Sequence, residues 1–159
     1  MTLPINPWRY LVFMDHTLVF CEINMNHIPI VNNWYHNDSD SFYVEELTER
    51  FIKYVTTNPN HYCWIVYQSN VPVGRVSYEI DNQKAYIDIL IRPDYRRKGF
   101  GKMIIEQVIN RTEISSIKQI VAGIKHTNEA SINLFKSVGF DAMENEVDND
   151  GFIDYSFYL

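Results

Sequence analysis

Arg96, Gly99 and Gly101 stand as Arg-x-x-Gly-x-Gly, with Arg97 and Lys98 between them. These types at this spacing suit the holding of a phosphate. Glycines let successive backbone N–H groups turn inward and let a bulky anion come close. A helix starting near Gly101 would add the positive end of its dipole, and the three cations add full charge. Just ahead, Ala85 to Ile91 is an apolar run that Arg92-Pro93 ends, because proline has no amide to give a sheet. Just after, Ile104 and Val108, and Ile105 and Ile109, are pairs four apart, so Gly101 to Arg111 is expected to be helical. Strand, basic glycine loop and helix start follow in the order an anion site needs.

The remaining elements must position that loop. Trp8 to Met14 and Leu18 to Ile23 read as strands with Asp15-His16-Thr17 as a turn. In Asn24 to His36, Ile28, Val31, Trp34 and Tyr35 fit a helical face. After the polar cluster Asn37–Ser41, apolar residues from Val44 to Val55 recur at three and four, predicting an amphipathic helix over Phe42–Val55. Tyr62–Gln68, Val73–Ile80 and Ala85–Ile91 form a meander whose short connections imply antiparallel neighbours. In the second of these strands, Arg75, Ser77 and Glu79 share the face opposite Val76, Tyr78 and Ile80. Lys118–Ile124 then follows the loop's helix, giving a parallel, right-handed βαβ unit. Thr127 or Asn128 caps a further helix that Gly139 ends. Phe140–Met143 and Phe152–Leu159 close the chain as strands, with a hairpin signal at Asp150-Gly151. The fold class is therefore mixed α/β, and no repeat or linker divides residues 1–159, which are expected to form one domain.

Composition bounds the function. The 159 residues are 46% hydrophobic and 21% charged, as in an ordinary globular protein, and net charge is −6. That balance argues against a general nucleic-acid binder and accords with a cationic partner. Cys21 and Cys63 lie far apart in apolar contexts, so two free thiols are expected and no metal site. No basic-then-apolar leader opens the sequence, and no run reaches the roughly 18 apolar residues of a membrane span. A soluble, cytoplasmic protein with no membrane partner is the expectation; a homodimer is compatible with the sequence, which carries no signal for one.

The segment Ile89 to Ile105, with Arg92-Pro93-Asp94-Tyr95 ahead of Arg96-x-x-Gly99-x-Gly101, resembles the acyl-CoA-binding motif of the GNAT superfamily of N-acyltransferases. A second motif of that family, Asn-x-x-(Ala/Ser)-x-x-Leu-(Tyr/Phe) followed by Gly-Phe, is matched by Asn128, Ser131, Leu134, Phe135 and Gly139-Phe140. Trp34, the polar turn and the helix after it are similar to the subgroup of ribosomal-protein N-terminal and amino-sugar acetyltransferases. The resemblance implies a central, mostly antiparallel sheet with one parallel strand pair splayed open, flanked by about four helices. It implies acetyl-CoA as co-substrate, with its pantetheine arm on backbone groups of Ile89 and Ile91. Its pyrophosphate would rest on amides of Arg96, Arg97, Lys98, Gly99, Phe100, Gly101 and Lys102, with Asn128, Ser131 and Phe135 on the other side.

The implied reaction is attack of a neutral amine on the thioester. A lysine-type amine has a pKa of about 10.4 and an α-amine about 7.7–8.0, so a base must take a proton at neutral pH. Asp88 and Glu79 on adjacent strands are the carboxylate candidates, and Tyr86, or a water chain it holds, is a third. The acceptor is a small-molecule amine or a protein N-terminus. Phe135 stands where many members of the family carry a Tyr that protonates the leaving thiolate, and Phe has no proton to give. On that ground a non-catalytic acyl-CoA-binding module is the alternative. A nucleotide-binding protein is a third reading, but the Lys-Ser/Thr pair of a P-loop is missing. His126, after a strand and before a cap, reads as an exposed histidine rather than a catalytic one. Trp34, Tyr35 and His36 are candidates for an acceptor pocket.

Overall fold

A computed structural model describes residues 17–35, 45–143 and 146–159. Its elements are β1 (Leu18–Glu22), α1 (His27–Asn32), α2 (Glu49–Thr57), β2 (His61–Gln68), β3 (Val71–Asp81), β4 (Lys84–Ile91), α3 (Phe100–Ile109), β5 (Gln119–Lys125), α4 (Glu129–Ser137), β6 (Asp141–Ala142) and β7 (Phe152–Tyr158). The expected strand at Trp8–Met14 and the position of His36 lie outside the described residues.

Seven strands form one sheet in the order β1-β2-β3-β4-β5-β7-β6. Every neighbouring pair is antiparallel except β4 and β5. Two tight turns make the meander. Ser69-Asn70 and Asn82-Gln83 all have positive φ, from 46° to 67°, the conformation that matches the twist of two-residue hairpins. Val71 and Pro72 are part of β3 rather than of the turn, and the register slips between Val66 and Tyr67 where Pro72 has no amide to offer.

The sheet is buried on both faces by different helices. On one face, Ile104, Ile105 and Val108 of α3 and Phe135 of α4 join Val76, Tyr78, Ala85, Ile87, Ile120 and Ala122 in one cluster. On the other, Val31 of α1 and Ile52 and Val55 of α2 pack with Cys63, Ile65 and Leu90. The strand residues of the second cluster come from β2 and the end of β4.

Three expectations need correction. The helix foreseen over Phe42–Val55 begins at Glu49: Phe42–Val44 lie outside the described residues, and 45–48 are not helical. Thr48 is the cap, its side chain accepting from Phe51 N–H. Leu47 keeps its apolar pattern because it is buried beside Ile52 as a staple before the cap, not as part of the helix. Asn24–His36 holds a six-residue α1 and then a 3-10 turn, Asn33–Tyr35. Phe140–Met143 contains a strand of only two residues, with Phe140 turned into the core instead.

Candidate active site

The parallel pair β4 and β5 is joined at only three positions, Lys84↔Gln119, Ala85↔Ile120 and Tyr86↔Val121. Beyond them, Ile87–Ile91 and Ala122–Lys125 have parted, while each strand stays fully paired on its other side. The result is a V-shaped opening with a free backbone edge on each wall. Arg92 N–H donates to Val73 O, so in this antiparallel register Arg92, Leu90 and Asp88 turn their amides toward β3. Ile87, Ile89 and Ile91 therefore turn theirs into the opening. Leu159 N–H donates to Lys118 O, and by the same alternation Gly123 and Lys125 face the opening from β5. An extended, amide-bearing arm laid on β4 would find the N–H and C=O groups of Ile89 and the N–H of Ile91 ready to pair. In the structure Ile91 O accepts from Arg96 Nε at 3.2 Å.

The mouth of the V is the basic loop. Pro93–Tyr95 is a 3-10 turn. Tyr95 packs edge-on to Phe100 at 5.5 Å and lies beneath two cations, Arg92 at 5.4 Å and Lys98 at 5.3 Å. Lys98 Nζ also donates to Asp94 O at 2.6 Å. Tyr95 is thus the anchor of this loop, a role that the sequence reading did not give it. Arg97 (φ 59°) and Gly99 (φ 88°) are both left-handed. Such turns aim consecutive N–H groups into one concavity. Gly99 is the N-cap of α3, so the amides of Phe100, Gly101 and Lys102 have no partner within the helix.

The two glycines differ in purpose. A Cβ on Gly99 would meet nothing within 4 Å, so its requirement is the left-handed φ. A Cβ on Gly101 would stand 2.8 Å from Leu134 Cδ2, so its requirement is close packing of α3 on α4. The sequence reading gave both to the approach of an anion; at Gly101 the structure adds a close contact with α4. That contact ties the two sequence motifs together in space.

On α4, Asn128 caps the helix by accepting from Ser131 N–H at 3.2 Å. Phe135 is 3% exposed and packs edge-on against Phe140 with centroids 5.0 Å apart. Its ring belongs to the core cluster.

The polar candidates lie on the α1/α2 face. Asp88 Oδ2 accepts from Arg75 Nη2 at 2.5 Å, and Arg75 is 8% exposed. Arg75 also lies over the Phe51 ring of α2. Glu79, opposite Tyr86 in register, accepts from Tyr54 Oη at 2.8 Å and stands 4.0 Å from His61 Nδ1. Burial pushes the His61 pKa down, with Glu79 opposing. Tyr86 is 45% exposed at the last joined level of the V. Cys63 is buried on the same face and its thiol is pushed up to about 12, so it is no nucleophile at neutral pH. His126 Nδ1 lies 3.0 Å from Gly151 O and holds the last hairpin, as an exposed structural histidine does. Trp34 lines a groove with Pro29, Ile30, Asn32, Asn33, Pro72 and Arg92, near the outer end of β4; Tyr35 is not among its lining residues. Among the described residues, no group of three or more His, Cys, Asp or Glu could hold a metal ion. No helix among them is long and apolar enough to cross a membrane.

Residues 28–140 match the family model described as Acetyltransferase (GNAT) family. Over 128 residues the chain is 27% identical to an uncharacterized N-acetyltransferase, YfmK, of Bacillus subtilis, covering 79% of this chain and 86% of that one. Over 60 residues it is 28% identical to a ribosomal-protein alanine N-acetyltransferase of Salmonella typhimurium, covering 38% of this chain and 40% of that one. Its fold is similar to spermidine N-acetyltransferase from Vibrio cholerae, solved with CoA and spermine, at TM-score 0.72 and 16% identity over 89% of this chain and 94% of that one.

Proposed function

The chain belongs to the acetyltransferase (GNAT) family and is an acyl-CoA-dependent N-acyltransferase; from that premise we propose how its residues divide the work. Acetyl-CoA is the co-substrate and supplies the thioester carbonyl. The free amide and carbonyl of Ile89 and the free amide of Ile91 align its arm in the V. The amides of Phe100, Gly101 and Lys102, with the loop from Arg96 through Arg97, Lys98 and Gly99, receive its phosphates. Asn128 and Ser131 close that side from α4, while Phe135 acts only by packing. Residues 1–159 work as one domain in the cytoplasm, with neither nucleic acid nor membrane as partner; dimerisation is an outcome to be read by light scattering.

The acceptor is a primary amine, in line with the relatives whose names state an acceptor, a ribosomal protein's alanine and spermidine. It approaches on the α1/α2 face, where Asp88, Glu79 and Tyr86 gather polar groups beside the joined end of the V. The oxyanion that develops at the carbonyl is met by a backbone N–H of β4. The observation that carries this reading is the three-residue pairing of β4 and β5, which leaves two free edges level with one basic loop.

A thiol-release assay with acetyl-CoA over a panel of cadaverine, glucosamine and an alanyl peptide tests it. Turnover with at least one amine is expected. Tight acetyl-CoA binding with no release for any amine would instead support a binding module, the reading that Phe135 raised.

A further inference from the structure

An arm that enters at the basic loop runs back along β4, so its reactive end arrives where the strands part. The β4–β5 register has a constant offset of 35, from Lys84↔Gln119 to Tyr86↔Val121. Continued one step past the last side chain on that face, the offset sets Asp88 level with Gly123. Gly123 pairs with Asp154 of β7. Asp88 therefore stands on the β4 wall and Asp154 one strand behind the β5 wall, on the same face, at the first unpaired level whose side chains point to that face.

Their circumstances differ. Asp88 has one oxygen on the buried Arg75 guanidinium, and protonating it would leave that cation without its counter-charge. Glu79, like Asp154, sits one strand behind the opening, but its carboxylate is already engaged by Tyr54 and Asn58. Asp154 is exposed, and no hydrogen bond or ion pair among the described residues engages its side chain. It leans toward the opening. Cross-strand Cβ atoms sit about 4.5–5.5 Å apart, yet Asp154 Oδ1 is only 3.3 Å from where a Cβ on Gly123 would be. Nothing else lies within 4 Å of that point. The missing side chain at Gly123 leaves the path between this carboxylate and the V clear.

We propose that Asp154 receives the acceptor as its ammonium ion and is the base of the transfer, a refinement that rests on the acyltransferase reading. The ammonium donates a hydrogen bond to the carboxylate and passes it one proton. The freed nitrogen lone pair attacks the thioester carbonyl carbon. The C–N bond forms, the C–S bond breaks, and the thiolate leaves with its electron pair. The second proton lost from nitrogen as it becomes an amide goes to the thiolate through solvent. The substrate class is a cationic primary amine, in keeping with the net charge of −6. By register, the charged residues that share the Asp154 face on the neighbouring strands are Lys125 on β5 and Asp141 on β6, with Asp88 on the β4 wall. The Lys125 ammonium is held by Asp150 O and the Phe152 ring.

The test compares wild type, Asp154→Asn, Asp154→Glu and Asp88→Asn. In Asp154→Asn, acetyl-CoA affinity by calorimetry should stay within twofold, which also reports folding. Its kcat/KM for cadaverine should fall about 100- to 1000-fold. The residual rate should climb tenfold per pH unit with the free-amine fraction, and Asp154→Glu should recover part of the loss. A fall of less than threefold in Asp154→Asn, with a large fall in Asp88→Asn, overturns the assignment. Should wild type bind acetyl-CoA yet release no thiol, the acyltransferase reading fails separately. Cadaverine binding to the CoA-bound protein then decides the point: equal affinity in wild type and Asp154→Asn overturns the proposal, and a tenfold weaker variant upholds the carboxylate as the ammonium site.

Discussion

The two sides of the V are built by different means. The donor side is made of backbone: the free edge of β4, the left-handed residues of the loop, and the first turn of α3. It runs nearly unbroken from Ile87 to Lys102, with α4 as its one distant support. The acceptor side, as proposed, is made of side chains from β3, β4 and β7, which meet only through sheet register. A backbone site tolerates exchange of its side chains but not of its glycines; a side-chain site behaves the opposite way. Binding of acetyl-CoA and turnover of amine should therefore respond to different mutations.

Gly101→Val should give the largest break. Its Cβ would stand 2.8 Å from Leu134 Cδ2, so the Leu134 side chain must give way and α3 must shift against α4 to take the added methyls. Overpacking of this kind costs about 1–3 kcal/mol. Because the same shift moves the amides of Phe100 and Lys102, acetyl-CoA affinity should drop by roughly 100-fold. Calorimetry and a denaturant melt on one sample would show both; unchanged affinity would remove the loop from the donor site.

On the acceptor side the sharpest contrast is between the partners of one ion pair. Asp88→Ala leaves the Arg75 guanidinium buried and alone, and should cost about 2 kcal/mol after allowing for the exposure of the carboxylate. Arg75→Met leaves a carboxylate that water can reach, and should cost under about 1 kcal/mol. Equal losses in urea melts would mean that the pair is not divided into a buried and a wet partner.

A third difference is in pH dependence. His27 and His61, both on the α1/α2 side, have pKa values pushed below 6.5 by burial. A depressed folded-state pKa means that the unfolded chain binds more protons, so stability is complete above about pH 6.5 and is lost as pH falls below it. The thermal midpoint should drop between pH 7.5 and 5.5, and His61→Asn should flatten that slope. A slope unchanged in the variant would place the titration elsewhere.

The same division explains what could be read in advance. The meander, the parallel pair and the donor loop follow from local signals: the short connections, the Arg-x-x-Gly-x-Gly spacing, the proline after β4 and the Asn128 cap. Where a local signal was outvoted, as with Thr48 at the start of α2, the error came from Leu47 continuing an apolar rhythm outside the helix. Asp154 had no such signal. Nothing in Phe152–Leu159 marks it, and its closeness to the V exists only through β5–β7 register and the bare Cα of Gly123. Arg75 was legible as a polar strand residue, but its burial under α2 was not, since the covering helix comes from a distant segment. Tyr95 was quoted as part of a motif, yet its cation-flanked seat depends on Arg92 and Lys98 folding back over one ring.

The smallest effect gives the strictest check on the backbone account. Arg97 holds φ at 59°, which costs a non-glycine residue about 1 kcal/mol. Gly at that position removes the strain but adds about as much unfolded-state entropy. Arg97→Gly should therefore leave stability nearly unchanged. It also deletes a cation beside the phosphate site. If Arg97 serves through its amide, the loss of an exposed charge should weaken acetyl-CoA binding by no more than about threefold, and that loss should vanish as salt is raised. Arg97→Val keeps the same charge deletion but puts a branched side chain at positive φ, where it is strained. It should bind worse than Arg97→Gly at every salt concentration. If the two variants bind alike, the guanidinium rather than the left-handed turn is what the loop contributes at residue 97, and the division between a backbone-built and a side-chain-built wall loses its donor half.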